Sequence, residues 1–437
     1  MDEQGKGNGR NIAVVGAGPM GLAVAYYLLK AGHRVQVYEA GPVIGGMSAA
    51  FDFEGTEIER FYHFICANDE AMFQICRELG IDEQLRWRAT RMGYYIDGRL
   101  HDWGNPVALL KLPGLDLVSK FRYGLHAYLS TKRRDWRPLD ERYATEWLRT
   151  WVGPKAYDLL WRKLFELKFY DYTDRLSAAW IWTRIKRVGT SRYNLMREKL
   201  GYLEGGSETI LRALEQAINR MGGRIHVSTP VDQVLIDGGA VRGIQLGDRT
   251  EPYDAVFSTA PIPFVPRMIP DLPVTARAQL EALESVAVVC VIVKLRKPVT
   301  HNFWLNINDD RMDIPGIVEY TNLRPMPEHI VYVPYYMPGE HPKYQESDQA
   351  FIDRSLHYLR MINPALGEDD ILAARASRYR YAQPVCAPGH LEQLPPVDLP
   401  VRGLYVADTS YYYPEDRGIS ESVRFGRHMV DLMERGE

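Results

Sequence analysis

The stretch from Ala13 to Ala40, AVVGAGPMGLAVAYYLLKAGHRVQVYEA, restricts the fold more than any other part of the chain. Residues 11–15, NIAVV, form a short apolar run rich in β-branched side chains. A run with helical period from Leu22 to Lys30 follows the glycines directly, Gly32 punctuates it, and VQVYE resumes a strand. This is β-α-β within about 30 residues. An export signal is a competing reading, but the stretch carries Gly18-Pro19 and lacks a small-residue cleavage site and a tidy basic leader. No other run is long and apolar enough for a transmembrane helix. The first ten residues, MDEQGKGNGR, read as a flexible tail.

Within the unit, Gly16, Gly18 and Gly21 fit G-x-G-x-x-G, with Ala17, Pro19 and Met20 between them. The first glycine gives a tight turn, the second lets backbone approach a pyrophosphate, and the third allows close helix packing. The helix N-terminus then points free N–H groups at the phosphates. Glu39, followed by Ala40, ends the second strand and is placed to accept hydrogen bonds from a ribose diol. Its charge repels a 2′-phosphate, which favours FAD or NAD over NADP. A purely structural β-α-β is the alternative.

At 437 residues the chain is too long for one ordinary core and predicts two domains, interleaved in sequence. A formal net charge of −3 gives no nucleic-acid footprint. Cys66, Cys76, Cys290 and Cys386 are scattered, with no C-x-x-C pair and no His/Cys cluster at zinc spacing, so no metal site is expected. A reduced, cytoplasmic setting fits this cysteine usage.

The segment AGPVIGGMSAAF after Glu39 offers a second flexible backbone element at Gly45 and Gly46. It resembles the Gly-Gly element of the glutathione-reductase-like flavoproteins, particularly the flavin amine oxidase, protoporphyrinogen oxidase and phytoene desaturase group. Many of those have an arginine next, where this chain has Met47. Two later segments resemble the same group. In GYLEGGSETILRALEQAINRMGGRIHVSTPVDQV (201–234), Gly205-Gly206 form a turn, a helix starts near Ser207, and Gly222-Gly223 stop it before a strand. The resemblance puts Val231 beside the adenine and returns the strand DAVFSTAP, with Ala260, alongside. In GLYVADTSYYYPEDRGISESVRFGRHMVDLM (403–433), it makes Asp408 the acid near the ribityl or phosphate oxygens, and Gly418, Ile419 and Ser420 the start of a helix beneath the isoalloxazine. Arg417 is read either as an addition to that positive end or as an ordinary salt-bridged arginine.

The resemblance implies FAD and an α/β fold. A discontinuous glutathione-reductase-like Rossmann domain is expected from 10–60, 195–262 and 395–437. A mixed α+β substrate domain is expected from a helical part, 61–194, and a β-sheet part, 263–394. It further implies hydride transfer from a bulky, largely apolar or amphipathic small-molecule substrate to the flavin, with dioxygen or a quinone taking the electrons. A non-redox flavin enzyme resembling UDP-galactopyranose mutase, and a non-catalytic binding protein resembling the GDP-dissociation inhibitors, are the alternatives.

Residues 58–195 hold eight of the nine tryptophans. Trp147, Trp151, Leu159, Leu160, Leu164 and Phe165 recur at helical spacings, read either as an aromatic core or as the lining of a substrate tunnel. Residues 109–137 mix apolar side chains with Lys111, Lys120, Arg122, Lys132, Arg133 and Arg134, which suits either a solvated helix face or peripheral contact with the inner face of a membrane. Tyr379, Tyr381 and Gln383, and the polar insertion Glu319-Tyr320-Thr321-Asn322, are candidates for the flavin side and the wall of a substrate cavity. The catalytic candidates are His63, in ERFYHFICAND, and Tyr413, in YYYPEDRG. His63 has the chemistry of a donor to the flavin or an acid/base near pH 7, and equally that of a satisfied core histidine.

Overall fold

The computed structural model describes residues 9–436, so most of the N-terminal tail lies outside the described residues. The opening stretch forms strand Asn11–Val15, helix Pro19–Lys30 and strand Arg34–Tyr38. The two strands pair in parallel with Ile12 opposite Val35 and Val14 opposite Val37, all four fully enclosed. They sit in a five-stranded sheet ordered Arg224–His226, Arg34–Tyr38, Asn11–Val15, Ala255–Ser258, Leu404–Val406, in which every pairing is parallel. Three sequence-distant segments therefore build one sheet, which is why the dinucleotide domain is discontinuous.

Helix Ser207–Arg220 starts after Gly205 and Gly206, whose φ of 82° and 76° only glycine adopts readily. Its apolar stripe, Ile210, Leu211, Leu214 and Ile218, is buried against the sheet. The C-terminal helix Ile419–Arg435 crosses helix Pro19–Lys30 at Gly426, where an added Cβ would come within 2.9 Å of the Met20 carbonyl oxygen. That crossing brings the N-termini of both helices to the same side of the sheet, beside the cavity described below.

A second sheet of seven strands runs in the order Ile371–Pro384, Ser285–Leu295, His329–Pro338, Gly316–Glu319, Trp304–Asn308, Met92–Ile96, Arg99–Trp103. Ser285–Leu295 reads SVAVVCVIVKL because both of its faces are covered, and each Val or Ile enclosed there contributes about 1.5–3 kcal/mol relative to exposure.

The segment 61–194, expected as the helical part of the substrate domain, is mostly helical, yet it also supplies the last two strands of this sheet. The physical reason is Asp97-Gly98, both at positive φ, which close a hairpin between MGYYI and RLHDW.

The remainder of that segment packs helices Leu117–Lys132, Ala144–Val152 and Ala178–Thr190 around Trp147, Leu148, Trp180 and Trp182. Pro154–Tyr157 continues through a π-turn, Asp158–Arg162, into helix Lys163–Phe169. Carbonyls in the π-turn are capped by neighbours: Tyr94 Oη donates to the Leu160 oxygen at 2.9 Å, and Asn308 Nδ2 to the Leu159 oxygen at 2.8 Å. No helix among the described residues is long and apolar enough to cross a membrane.

Candidate active site

A single cavity of about 1310 Å³ runs from the glycine turn of the parallel sheet to the aromatic helices. At one end its wall is Gly16, Gly18, Pro19, Met20, Gly21, Glu39, Ala40, Gly46, Met47, Val231, Ala260, Asp408, Gly418, Ile419 and Ser420. Segments far apart in sequence thus converge on one end of one cavity.

Each glycine there has a distinct cause. Gly16 has φ 95°, and a Cβ on it would lie 2.9 Å from Thr259 Oγ1. A Cβ on Gly21 would lie 1.9 Å from the Gly16 carbonyl oxygen, so this glycine lets the helix sit against the turn. Gly18 meets nothing within 4 Å: its missing side chain leaves space in the cavity. It is the N-cap of helix Pro19–Lys30, and no side chain caps that helix. Gly418 likewise begins the C-terminal helix with no side-chain cap. Two helix N-termini with unclaimed N–H groups facing one cavity suit a diphosphate and an electron-rich ring.

Glu39 holds the turn through Oε2, which accepts from the Ala17 N–H at 2.8 Å, and Oε1, which accepts from Gly41 at 2.8 Å. A carboxylate oxygen has further lone pairs, so the group keeps capacity for a diol. Asp408 accepts from the Ile262 N–H at 3.0 Å and the Ser410 N–H at 2.8 Å, and burial raises its pKa. Its first task is to fix the loop ahead of the last helix. The Ser420 hydroxyl accepts from Met72 at 3.3 Å, which leaves its backbone as the part available to a cofactor. Ala17 and Gly45 are not on the cavity wall. Gly45 donates to the Ala17 carbonyl at 2.8 Å, and a side chain on it would press on Leu211 and Ala49, so its role is packing behind the turn.

The catalytic candidates divide. His63 lines the cavity, with Nε2 3.2 Å from Ser48 Oγ and Nδ1 without a partner. Burial and the nearby Arg417 charge lower its pKa to about 4, so the ring is neutral near pH 7 and is not poised as the acid/base expected there. Tyr413 is off the cavity wall altogether. Its hydroxyl meets Ser177 Oγ at 2.6 Å and donates to Asp140, and its ring packs between Trp136 and His390. The 3₁₀ turn Thr409–Tyr412 sends consecutive tyrosines in different directions, and Tyr412 is the one that reaches the cavity.

At the other end the wall is aromatic and apolar. Tyr94, Trp103 and Tyr123 meet Leu160, Leu164 and Phe165 from the π-turn helix, and Phe303, Trp304 and Tyr336 from the second sheet. Tyr379, Tyr381 and Tyr320 line it too, whereas Glu319 turns away to accept from the Val299 and Thr300 N–H groups. Trp147 is a core residue.

Sequence reading passed over Lys168, Arg184 and Arg187, all on the wall. The available signal was a lysine inside LFELKFYDY and arginines spaced three apart behind Trp180.

Residues 21–414 match the family model described as flavin containing amine oxidoreductase. The chain belongs to that family, and its cofactor is FAD. Among curated proteins it is similar to the 15-cis-phytoene desaturase of Synechococcus elongatus, 26% identical over 306 residues, which are 64% of this chain and 64% of the relative. The chain spans less than two thirds of the length of the curated relatives that it matches most strongly. Among solved structures, the putative protoporphyrinogen oxidase from Exiguobacterium sp. 255-15 superposes with a TM-score of 0.74 at 20% identity, covering 99% of this chain and 100% of that one. A reduced UDP-galactopyranose mutase gives 0.76 at 17% identity, covering 98% and 96%. These similarities are in fold.

Proposed function

We propose that the protein is an FAD-dependent oxidoreductase that removes a hydride from a carbon of a bulky, largely apolar substrate. The observation that carries this reading is the continuity of one cavity from the cofactor cradle to an aromatic wall. A substrate lying along Phe165, Trp304 and Tyr336 reaches the flavin end without crossing water. FAD, when bound, supplies the two-electron acceptor. The chain supplies the rest: Gly18 and Gly418 present backbone N–H groups, the aromatic wall excludes water and orients the substrate, and neutral His63 offers a hydrogen bond at the junction.

The curated relatives support the substrate class, since their names describe desaturation of phytoene and ζ-carotene, both apolar hydrocarbons. The same names favour a redox reaction over the mutase-like alternative, and the intact cradle disfavours a binding protein that has dispensed with flavin.

The second element of the proposal is peripheral contact with a membrane through residues 109–137. Helix Leu117–Lys132 is inverted: Leu117, Phe121, Leu125 and Tyr128 form an exposed apolar stripe, while Ser119, His126 and Ser130 face inward. Leu117 is 75% and Phe121 70% exposed, with Leu110 and Val118 beside them and exposed Lys111, Lys132 and Arg134 near the helix ends. An apolar stripe with basic flanks suits an anionic bilayer surface. Tyr123, Ala127 and Tyr128 of this helix also line the cavity, so the same element borders both the apolar surface and the substrate channel.

The test is anaerobic mixing of holoenzyme with vesicles carrying long-chain apolar and amphipathic compounds, phytoene and an unsaturated long-chain carboxylic acid among them. Bleaching of the visible flavin band without added reductant supports the reading. A flavin that none of these apolar or amphipathic compounds reduces argues against it.

A further inference from the structure

Lys168, on helix Lys163–Phe169, is 6% exposed and lines the cavity. Its Nζ sits over three rings, 4.9 Å from the centroid of Tyr336, 5.5 Å from Trp180 and 5.6 Å from Phe169. Among the described residues it has neither an ion-pair partner nor a hydrogen-bond acceptor.

The other cavity cations near it differ. Arg184 pairs with Asp416 and donates to Gln383 Oε1 at 3.0 Å, and Arg187 pairs with Asp69. Arg417 donates to the Ala382 carbonyl and, at 3.4 Å, to the Tyr336 hydroxyl, and among the described residues has no carboxylate within ion-pair distance. Three cations, Lys168, Arg184 and Arg417, thus stand around Tyr336 against the single carboxylate of Asp416. The other wall acids have partners of their own: Glu39 and Asp408 each accept from two backbone N–H groups, Asp69 pairs with Arg187, Glu198 with Arg192, and Asp232 accepts from the Gly247 N–H.

A buried ammonium without a counter-ion is costly, and ring faces recover only part of its lost hydration. The arrangement becomes favourable when an anion enters the cavity. It also opposes a substrate that carries its own ammonium group.

We propose that Lys168, backed by Arg417, forms a subsite for a carboxylate on the substrate. The substrate is then an amphipathic acid whose anionic end lies between Lys168 and Arg417, beside Tyr336, and whose apolar body extends along the aromatic wall toward Tyr128. This rests on the oxidoreductase reading and narrows it from an apolar substrate to an acidic one. No covalent step is assigned to Lys168; it positions the substrate.

The test uses the flavin-loaded protein and three probes of equal chain length: dodecanoate, dodecanol and dodecylammonium. Binding is followed by tryptophan fluorescence and by perturbation of the flavin spectrum, neither of which requires turnover. Dodecanoate is expected to bind at least about tenfold more tightly than dodecanol, with dodecylammonium weakest. Lys168→Met should abolish the preference, and Lys168→Arg should keep it. Equal binding of all three probes to the wild type overturns the proposal, as does an unchanged preference in Lys168→Met. If Lys168→Met shifts the flavin reduction potential but leaves dodecanoate binding intact, the cation serves the flavin and the proposal also fails. Should Lys168→Met not fold, the comparison of probes on the wild type decides. Failure of the oxidoreductase reading shows separately, as a flavin that no substrate reduces while the probe preference persists.

Discussion

Arg187 donates through Nε and Nη2 to the two oxygens of Asp69, at 3.1 and 2.7 Å, and so ties helix Ala178–Thr190 to the start of helix Glu70–Leu79 across the cavity wall. Asp69 also accepts from the Cys66 N–H at 2.9 Å. Both partners are well enclosed, so removing one strands a charge. Asp69→Ala is expected to destabilise the fold by about 3–5 kcal/mol. Denaturant unfolding checks this, and the loss should shrink when Arg187→Met is added.

The glycines separate cofactor binding from folding. Gly18→Leu places its Cβ where no protein atom lies within 4 Å and directs the side chain into the cavity, so the variant should fold normally and lose FAD. Gly21→Ala drives a methyl group into the Gly16 carbonyl and should lower the melting temperature as well. Flavin absorbance and thermal unfolding of the two purified variants distinguish these outcomes.

Glu39 is expected to bind FAD as well as hold the turn. Glu39→Ala removes a charged acceptor, a loss of about 1.5–3 kcal/mol, which corresponds to roughly 10- to 150-fold weaker FAD binding. Equilibrium titration of the flavin-free protein measures it.

Acid should destabilise the helical part through His126. This ring is 2% exposed against Trp147 and Trp151, and burial lowers its pKa from 6.5 to about 4. Between those values the unfolded chain binds the proton and the folded chain does not. Stability is therefore full above pH 6.5 and falls as the pH drops toward 4, by on the order of 3 kcal/mol from this group. His126→Phe should flatten that part of the profile in urea unfolding at a series of pH values.

Phe121 tests the membrane surface. It is exposed, so Phe121→Glu should leave melting and flavin content unchanged while sharply reducing sedimentation with anionic vesicles. Equal sedimentation of variant and wild type would remove the membrane element of the proposal.

Much of the cofactor end was legible because its chemistry is local. Gly16, Gly18, Gly21 and Glu39 lie within one β-α-β unit, and the turns before Ser207 and Ile419 carry their own glycine signals. The substrate end was less legible because it is assembled by long-range packing. The hairpin at Asp97-Gly98 pairs with strand Trp304–Asn308, more than 200 residues later, and nothing near it in sequence announces that partner. Tyr413 was misplaced because three consecutive tyrosines have identical chemistry and only the backbone turn decides which faces the cavity. His63 reached the cavity as expected, but its proton affinity depends on burial and on Arg417, which is remote in sequence. Lys168 escaped notice because an isolated lysine among aromatic residues usually extends to solvent.

The most direct measurement is the visible absorption spectrum of the purified protein, with FAD quantified per chain, for the wild type and Gly18→Leu side by side. The account predicts one FAD per wild-type chain and none in a variant that melts as a folded protein. A wild type that stays colourless after FAD is supplied, or a Gly18→Leu variant that binds FAD normally, would contradict it.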